Sequence, residues 1–437
     1  MYRPLHFVRH LSARGYPVTV LTGKLSPDDP QDPTLLLRVP SSVRVLRVRH
    51  LDPFRGYQRL KRLFSRDCTT PRSAAPPGGS PSLAPPTWKD YLSESLQIPD
   101  RWRSWILPAT LRAVHALRLH PPDVLFSTSP PHSMHLVAGH LSSLLQRPMI
   151  IDFRDPWVDN PFRGDSHRFV EVAQRRLERQ VVEAAQRVIL NTPAIERRFR
   201  ERYPDLAHFL TITNGFDSDS TSTMAVSGGD DRPPDSGEGR PGARLSIVHV
   251  GHLYGMRSGR YLLAGLELLR QRSPATFAAV EVRLVGRMED ASRFQELVDQ
   301  RKLTDVLSIE GPCAHAVALE RQRRADVLLI LGVESEGPEI QVPSKLYEYF
   351  AAARPVLTLS RKGGAIEEIL RVAEYPYEQA DPDDSAQIAA AFERLVRRRG
   401  ETAGRSVDPG NLIRFRYDRL TDQLEECLNA ACAAPWT

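Results

Sequence analysis

Short apolar runs alternate with longer stretches of helical periodicity through most of this 437-residue chain. The runs lie at 18–22, 43–48, 123–128, 148–153, 187–190 and 209–213, and then at 245–251, 280–286, 306–311, 325–332 and 355–360. Near-continuous apolar strands separated by amphipathic helices are typical of parallel sheets covered by helices on both faces. The pattern therefore predicts an α/β fold of doubly wound parallel sheets, with ligands bound in the loops beyond the carboxyl ends of the strands.

Two segments interrupt this pattern, 65–87 and 218–243. Both are rich in Pro, Gly and Ser and have almost no large apolar residues, so neither buries enough surface to offset its ordering entropy. A single core rarely grows past about 250–300 residues. We therefore predict two domains, 1–217 and 244–405, with 218–243 as a flexible linker and 65–87 as a flexible insertion.

The composition narrows the class of protein. The 59 Lys and Arg residues against 53 Asp and Glu leave a net charge of +6, which is too small and too dispersed to indicate nucleic-acid binding. Cys68, Cys313, Cys427 and Cys432 have no metal-ligand or redox spacing, and no secretory signal is evident, so we expect a cytoplasmic protein. No apolar run approaches the ~18–20 residues needed to span a bilayer.

The segment QVPSKLYEYF, 341–350, places Lys345 in the first turn of a predicted helix. Pro343 suits the first helical position, which leaves the amides of Ser344 and the next two residues unpaired. A cation there opposes the helix dipole by about 0.3–1 kcal/mol unless an anion binds at the same place. A phosphate would bind both the amides and the ammonium, with Glu348 one turn further on and within reach of a ribose hydroxyl. The alternative is an ordinary surface ion pair between Lys345 and Glu348.

A glycine-rich loop, GHLYGMRSG, follows the strand predicted at 245–251. Its three glycines, Gly251, Gly255 and Gly259, surround Arg257. Glycine lets the backbone approach a ligand closely, and a guanidinium matches phosphate oxygens in a bidentate manner. A plain strand-to-helix turn is the alternative.

The motifs VHVGHLYGMRS, VPSKLYEYFAAARPVL and GGAIEEIL resemble the donor-binding domain of family 4 glycosyltransferases. These enzymes have the GT-B fold, in which two Rossmann-like domains face each other across a cleft. TSPPHSMHL, MIIDFRDPWVDNPF and ITNGFD are similar to the same branch of that family, the branch with a Pro-Ser-Lys helix at the donor site. The resemblance also implies that a terminal helix within 406–437 packs back on the first domain.

Carried over to this chain, the resemblance implies that Arg257 and Lys345 bind the diphosphate of a nucleotide sugar. It further implies that Glu348 binds the ribose and that the backbone at Gly251 and Ser344 lines the same pocket. Many family members have a second Glu eight residues earlier that contacts the transferred sugar. Here that position is Ile340, so the resemblance leaves the identity of the sugar open.

In the first domain, DFRDPW, 152–157, ends a predicted strand with Asp152, Arg154 and Asp155 at the mouth of the predicted cleft. The resemblance places Arg154 or Asp155 near the reacting centre, where a carboxylate accepts or orients the acceptor hydroxyl. Asp–Arg pairs that merely fix the loop are the alternative. His132, in SPPHS at another strand end, is a further catalytic candidate, with loop structure as its alternative.

The beginning of the chain departs from the family pattern. Family members start with a strand and a glycine-rich loop, whereas YRPLHFVRHLSARG already reads as the first helix. Without that central strand, hydrogen-bonding edges would be unpaired. Either translation starts upstream of Met1, which we favour, or the protein is impaired. Separately, FRGYQRLKRLFSR, 54–66, reads as a basic amphipathic helix that either lies on an anionic membrane or packs on its own domain.

The resemblance therefore implies a glycosyltransferase that moves a sugar from a nucleoside diphosphate to a hydroxyl of a glycan or lipid-linked saccharide, with retention, in cell-surface polysaccharide biosynthesis. We expect no metal and no cofactor, because Asp217 and Asp219, and Asp381 and Asp383, lie in the linker and in a polar loop rather than at an apolar strand end. The alternatives are a nucleotide-sugar epimerase of the same fold and a degenerate, non-catalytic binding subunit.

Overall fold

The computed structural model describes residues 2–24, 33–50, 94–161, 167–217, 244–333, 339–399 and 408–433. The predicted basic amphipathic helix at 54–66, the insertion at 65–87 and the linker at 218–243 lie outside these ranges. The chain divides into two compact units. The first unit comprises Met1–Asn214 together with Tyr417–Thr437, and the second comprises Gly215–Arg416.

The first unit has parallel strands with helices between them. Its elements in chain order are α1 Tyr2–Ala13, β1 Thr19–Lys24, α2 Pro33–Leu36, β2 Arg44–Arg49, α3 Ile106–Leu117, β3 Leu125–Ser129, α4 Ser133–Leu145, β4 Met149–Phe153, α5 Arg168–Ala184, β5 Arg187–Leu190, α6 Pro193–Arg202 and β6 Phe209–Thr211. A parallel sheet β3-β4-β5-β6 forms its centre, and β1 pairs with β2 in a separate parallel sheet. Within the described residues no strand joins these two sheets.

The last helix of the chain, α15 Tyr417–Ala433, packs on the first unit. Its buried side chains, including Tyr417, Leu420 and Leu424, share a core with Phe7 of α1 and Ile150 of β4. These residues recur every three or four positions, so one face of the helix is apolar and is buried.

The second unit contains one six-stranded parallel sheet. Its elements are β7 Leu245–Val250, α7 Arg260–Arg272, α8 Pro274–Ala278, β8 Val280–Val285, α9 Ala291–Gln300, β9 Leu307–Glu310, α10 His315–Arg324, β10 Val327–Leu331, α11 Ser344–Ala352, β11 Val356–Leu359, α12 Ala365–Val372, β12 Tyr377–Ala380, α13 Ser385–Arg397 and α14 Pro409–Leu412. The strand order is β12-β11-β10-β7-β8-β9. The order reverses between β7 and β10, which is where doubly wound sheets bind ligands.

The predicted α/β class is confirmed. Each of the eleven apolar runs overlaps a strand, and every ladder between these strands is parallel. The strand β12 was not predicted, because YEQA at 377–380 is polar and lies at the edge of the sheet. Among the helices described, none is both long enough and apolar enough to cross a bilayer.

Candidate functional site

Strands β7 and β10 separate at the carboxyl end of the second unit's sheet, which is where a doubly wound sheet forms its ligand-binding crevice. Strand β7 pairs with β8 along six residues but with β10 at only two positions, Ile247↔Val327 and Val248↔Leu328. Beyond this point, side chains replace the backbone ladder. Tyr349 Oη accepts a hydrogen bond from Val250 N at 2.9 Å and donates to Leu329 O at 3.3 Å. Helix α11, which carries Tyr349, is thereby fixed to the end of β7 and to the middle of β10.

His249 is a second bridge across the same crevice. Its Nδ1 lies 2.9 Å from Leu329 O, so this nitrogen carries the proton and donates it. Its Nε2 is buried without a hydrogen-bond partner, and a Cβ built on Gly251 would lie 3.0 Å from it. Burial lowers the pKa of His249 to about 4, and the charges of Arg257 and Lys345 add to that shift. Both predicted phosphate-binding cations therefore lie within electrostatic reach of one buried ring.

The glycine-rich loop forms a tight turn around Arg257. Arg257 N donates to Tyr254 O at 3.0 Å. Gly255 and Gly259 adopt φ values of 51° and 72°, a region that residues with a Cβ seldom occupy. Gly259 is the N-cap of α7. The loop thus needs glycine at these two positions in order to bring Arg257 to the edge of the crevice.

The Pro-Ser-Lys segment begins α11, with differences in detail from the prediction. Pro343 is the N-cap rather than the first helical residue, and Leu346 N donates to Pro343 O at 3.0 Å, so that amide is not available to an anion. The buried face contains Leu346, Tyr347, Tyr349 and Phe350. Ala353 is the exposed C-cap, and its left-handed conformation ends the helix.

Lys345 and Glu348 contact each other in this structure. Lys345 Nζ lies 2.7 Å from Glu348 Oε2, and both side chains are partly exposed. The alternative of an i,i+3 ion pair is therefore present. Surface pairs of this kind contribute little to stability, about 0–1 kcal/mol, so a more highly charged anion can compete with Glu348 for the ammonium. Ser344 is exposed at the start of the helix.

Glu339 is a buried carboxyl group beside the same crevice. A Cβ added at Gly332 would lie 2.3 Å from its Oε1, and one added at Gly364 would lie 2.5 Å from its Oε2. Both oxygens are buried. Burial raises the pKa of Glu339 to about 7, although backbone hydrogen bonds from Glu339 and Arg361, and then the charges of Arg257 and Arg361, favour the ionised form. The backbone carbonyl of Glu339 accepts from Ala365 N at 2.7 Å, which fixes the residue at the start of α12.

In the first unit, Asp152 is not at an accessible mouth as predicted but fully buried. Arg3 of α1 donates to both of its carboxylate oxygens, at 2.8 and 3.1 Å, and Thr128 Oγ1 donates to Oδ2 at 2.7 Å. Arg3 also donates to the carbonyls of Ile212 and Thr213. Because a buried charge needs such partners, Asp152 holds α1 against the carboxyl ends of β4 and β6.

Arg154 connects the loops that follow β3 and β4. Its backbone N and its Nε both lie 3.0 Å from Ser129 O, and its guanidinium also donates to Pro130 O. The Asn191 carboxamide, at the end of β5, donates to Arg154 O. Burial lowers the pKa of Arg154, while the charges of Asp152 and Asp155 oppose that shift. These bonds give Arg154 a structural role at the end of the sheet.

His132 is largely buried in the same region. It stacks on Trp157 with ring centroids 4.7 Å apart, and its Nδ1 lies 3.1 Å from Ser129 Oγ. Ser129 Oγ also lies 2.8 Å from Nε2 of His135, whose pKa burial lowers to about 3. His132 is therefore part of the loop's own packing.

Asp155 is half-buried at the carboxyl end of β4, in a loop that neighbouring residues hold rigidly. Trp157 Nε1 donates to Gln174 Oε1 at 2.5 Å, and Val158 N donates to Glu178 Oε2 at 3.0 Å. Both acceptors are on α5. Of the three predicted catalytic residues, Asp155 is the one carboxylate, and its side chain remains partly exposed.

The Asp-x-Asp pattern at Asp381 and Asp383 forms ion pairs with an arginine of the same chain. Arg361 forms ion pairs with Asp381 and Asp383. Asp381 directly follows β12 and therefore lies at a strand end. We had placed it in a polar loop because the sequence did not predict β12. Asp217 is buried, and Asp219 lies outside the described residues.

Three residues that contribute to these sites were not selected from the sequence: Arg3, His249 and Asn191. His249 had a usable signal, because it is a polar residue within the apolar run LSIVHV. Arg3 and Asn191 had none, since their partners are 149 and 37 residues away in the chain.

The comparisons with known proteins agree with this architecture. Residues 3–215 match the family described as "Glycosyl transferase 4-like domain". No curated protein matches the sequence.

Solved structures resemble the chain over nearly its whole length. HepE from Anabaena, in complex with UDP and glucose, is 14% identical, with 98% of this chain and 95% of that chain covered and a TM-score of 0.62. The UDP-forming α,α-trehalose-phosphate synthase from Burkholderia vietnamiensis is 14% identical, with 98% of each chain covered and a TM-score of 0.62. Sucrose-phosphate synthase from Thermosynechococcus elongatus is 15% identical, with 98% and 92% covered and a TM-score of 0.59.

At such low identity these structures establish the fold, which is GT-B. The match over residues 3–215 adds the family of the first domain. Together they identify the protein as a glycosyltransferase with the GT-B fold.

Proposed function

We propose that this glycosyltransferase moves a sugar from a nucleoside diphosphate sugar to a hydroxyl of a glycan or lipid-linked saccharide, with retention of configuration. The observation that carries the donor assignment is that the charges of Arg257 and Lys345 both act on the buried ring of His249 and help to lower its pKa. This happens at the switch point between β7 and β10, where doubly wound sheets bind ligands. The resemblance to the Pro-Ser-Lys branch supports the same assignment.

In this proposal the second unit binds the donor. Arg257 and Lys345 bind the diphosphate, and backbone at Gly251 and Ser344 approaches it closely. Glu348 exchanges its bond to Lys345 for a ribose hydroxyl. As the glycosidic bond breaks, negative charge grows on the leaving diphosphate, and fixed cations stabilise that charge in the transition state. The HepE structure, which was determined with UDP and glucose, supports a uridine nucleotide as the first donor to test.

Asp155 of the first unit orients or deprotonates the acceptor hydroxyl. Arg154 and His132 hold the loops around it through their contacts with Ser129 and Trp157. The mechanism requires no metal, because the two cations perform the charge stabilisation. A cytoplasmic location at the inner face of the membrane, in cell-surface polysaccharide synthesis, completes the proposal.

A thermal-shift screen of UDP-, GDP- and ADP-sugars tests the donor assignment. A ligand present at a hundredfold excess over its Kd adds about 2.7 kcal/mol to the stability of the folded state. The shift should disappear in Arg257→Ala and persist in Arg293→Ala, which removes an exposed cation of α9 in the same unit. If no nucleotide sugar raises Tm, the donor assignment is wrong.

Product analysis then separates transfer from epimerisation. A transferase leaves the sugar unchanged until an acceptor is added, whereas an epimerase converts the donor alone. Conversion without acceptor would replace this proposal with the epimerase alternative.

A further inference from the structure

The outward side of α3 and the residues just after it expose three leucines. Leu107 is 66% exposed, Leu111 61% and Leu119 79%. Leu107 and Leu111 are four residues apart, so they lie on the same side of the helix. The opposite side of α3 packs in the core. Ala109 and Ala113 are completely buried there, together with residues of α4.

The same stretch is strongly basic. Residues 101–122 contain four arginines and two histidines but no Asp or Glu. Arg112 and Arg118 are exposed on the outward side. In the part of the chain that the structure describes, neither pairs with an acid. Arg179 of α5, by contrast, forms an i,i+4 pair with Glu183.

We propose that this α3 outer face, formed by Leu107, Leu111, Arg112, Arg118 and Leu119, binds the surface of an anionic lipid bilayer. Helix α3 would lie in the plane of the headgroups. Its leucines would enter the boundary with the acyl chains, and its guanidinium groups would contact lipid phosphates. Long Arg side chains bury their methylene groups while the charge remains among the headgroups, so both chemistries fit one helix face.

The dimensions of the face favour a bilayer over an acidic protein. The helical part of this stripe, from Leu107 to the end of α3 at Leu117, is only one helix wide and about 15 Å long, at a rise of about 1.5 Å per residue. A specific protein interface needs roughly 800 Å² from each partner. A flat anionic surface engages a narrow basic and apolar stripe without a complementary pocket. The proposal rests on different residues from 54–66 and does not depend on the donor assignment.

Flotation of the full-length protein with vesicles tests the proposal. The wild type should bind vesicles of phosphatidylcholine mixed with phosphatidylglycerol, and it should bind pure phosphatidylcholine poorly. Leu107→Gln/Leu111→Gln should weaken that binding at least about tenfold, because two leucines no longer leave water. Arg112→Gln/Arg118→Gln should weaken it by roughly fivefold per charge, and raised salt should reduce that difference.

A matched control removes two exposed apolar residues elsewhere. Val317 and Val372 are 44% and 45% exposed on α10 and α12, and Val317→Gln/Val372→Gln should float like the wild type. All of these positions are exposed, and circular dichroism will verify that each variant is folded. Equal flotation of the wild type and Leu107→Gln/Leu111→Gln would overturn the proposal. A wild-type protein that does not float with anionic vesicles would overturn it as well.

Discussion

Lys345 Nζ lies 2.7 Å from Glu348 Oε2, one turn along the same helix. The residue assigned to the diphosphate and the residue assigned to the ribose therefore form an ion pair with each other in this structure. A nucleotide sugar would have to separate them, so donor binding exchanges one ion pair for stronger charge-assisted bonds.

We expect Lys345→Ala to weaken binding of the preferred nucleotide sugar by roughly 10–150-fold, because a hydrogen bond to a charged group contributes about 1.5–3 kcal/mol. Titration calorimetry measures the effect. Arg293→Ala serves as the control for loss of one positive charge in the same unit. Unchanged affinity in Lys345→Ala would remove the helix start from the donor site.

Glu339 makes stability depend on pH. Its folded-state pKa of about 7 lies above the ordinary value of 4.5, so between these pH values the folded state holds a proton that the unfolded state has released. The unfolding free energy of the wild type should fall as pH rises through this window. Glu339→Gln should therefore gain about 3 kcal/mol relative to the wild type between pH 4.5 and pH 8.

Urea unfolding at the two pH values measures this gain. Glu320→Gln, which removes an exposed acid paired with Arg323 and Arg324, should show no such dependence. A Glu339→Gln stability curve parallel to that of the wild type would mean that the carboxyl group is not desolvated.

Asp155→Asn should retain donor binding and lose turnover. The amide keeps the size of the side chain but cannot accept a proton, and general base catalysis typically contributes roughly 10²–10⁴-fold. Transfer rates with saturating donor measure this loss, and calorimetry verifies that the donor still binds. Asp205→Asn, at an exposed position of the same unit, should leave the rate unchanged. Full activity in Asp155→Asn would exclude the residue from the chemistry.

Breaking the Arg3–Asp152 pair should strongly destabilise the folded state. Its side chains are 2% and 0% exposed, so Arg3→Met leaves a buried carboxylate with too few partners, at a cost of about 3–5 kcal/mol. Arg3→Met/Asp152→Asn should cost less than the sum of the single variants, because the unpaired charge is gone. Arg179→Ala, which breaks an exposed pair, should change stability by less than about 1 kcal/mol. Additive single and double effects in urea unfolding would contradict direct pairing.

The sequence alone determined the fold class and the approximate position of eleven strands, because apolar periodicity reports local burial. It also determined that Arg257 and Lys345 follow strand ends in the second unit. It missed β12, whose polar YEQA is stabilised as a strand by pairing with β11, and no local pattern encodes that pairing.

Only the tertiary structure decided which polar residues are available to a ligand. Asp152 and Asp155 are three positions apart in one motif, yet Arg3 buries the first and the second stays half-exposed. Likewise, β7 and β10 separate after two residue pairs, and His249, just beyond them on β7, lies within electrostatic reach of both Arg257 and Lys345. Desolvation and pairing depend on groups far away in the chain, so residue type and spacing alone do not specify them.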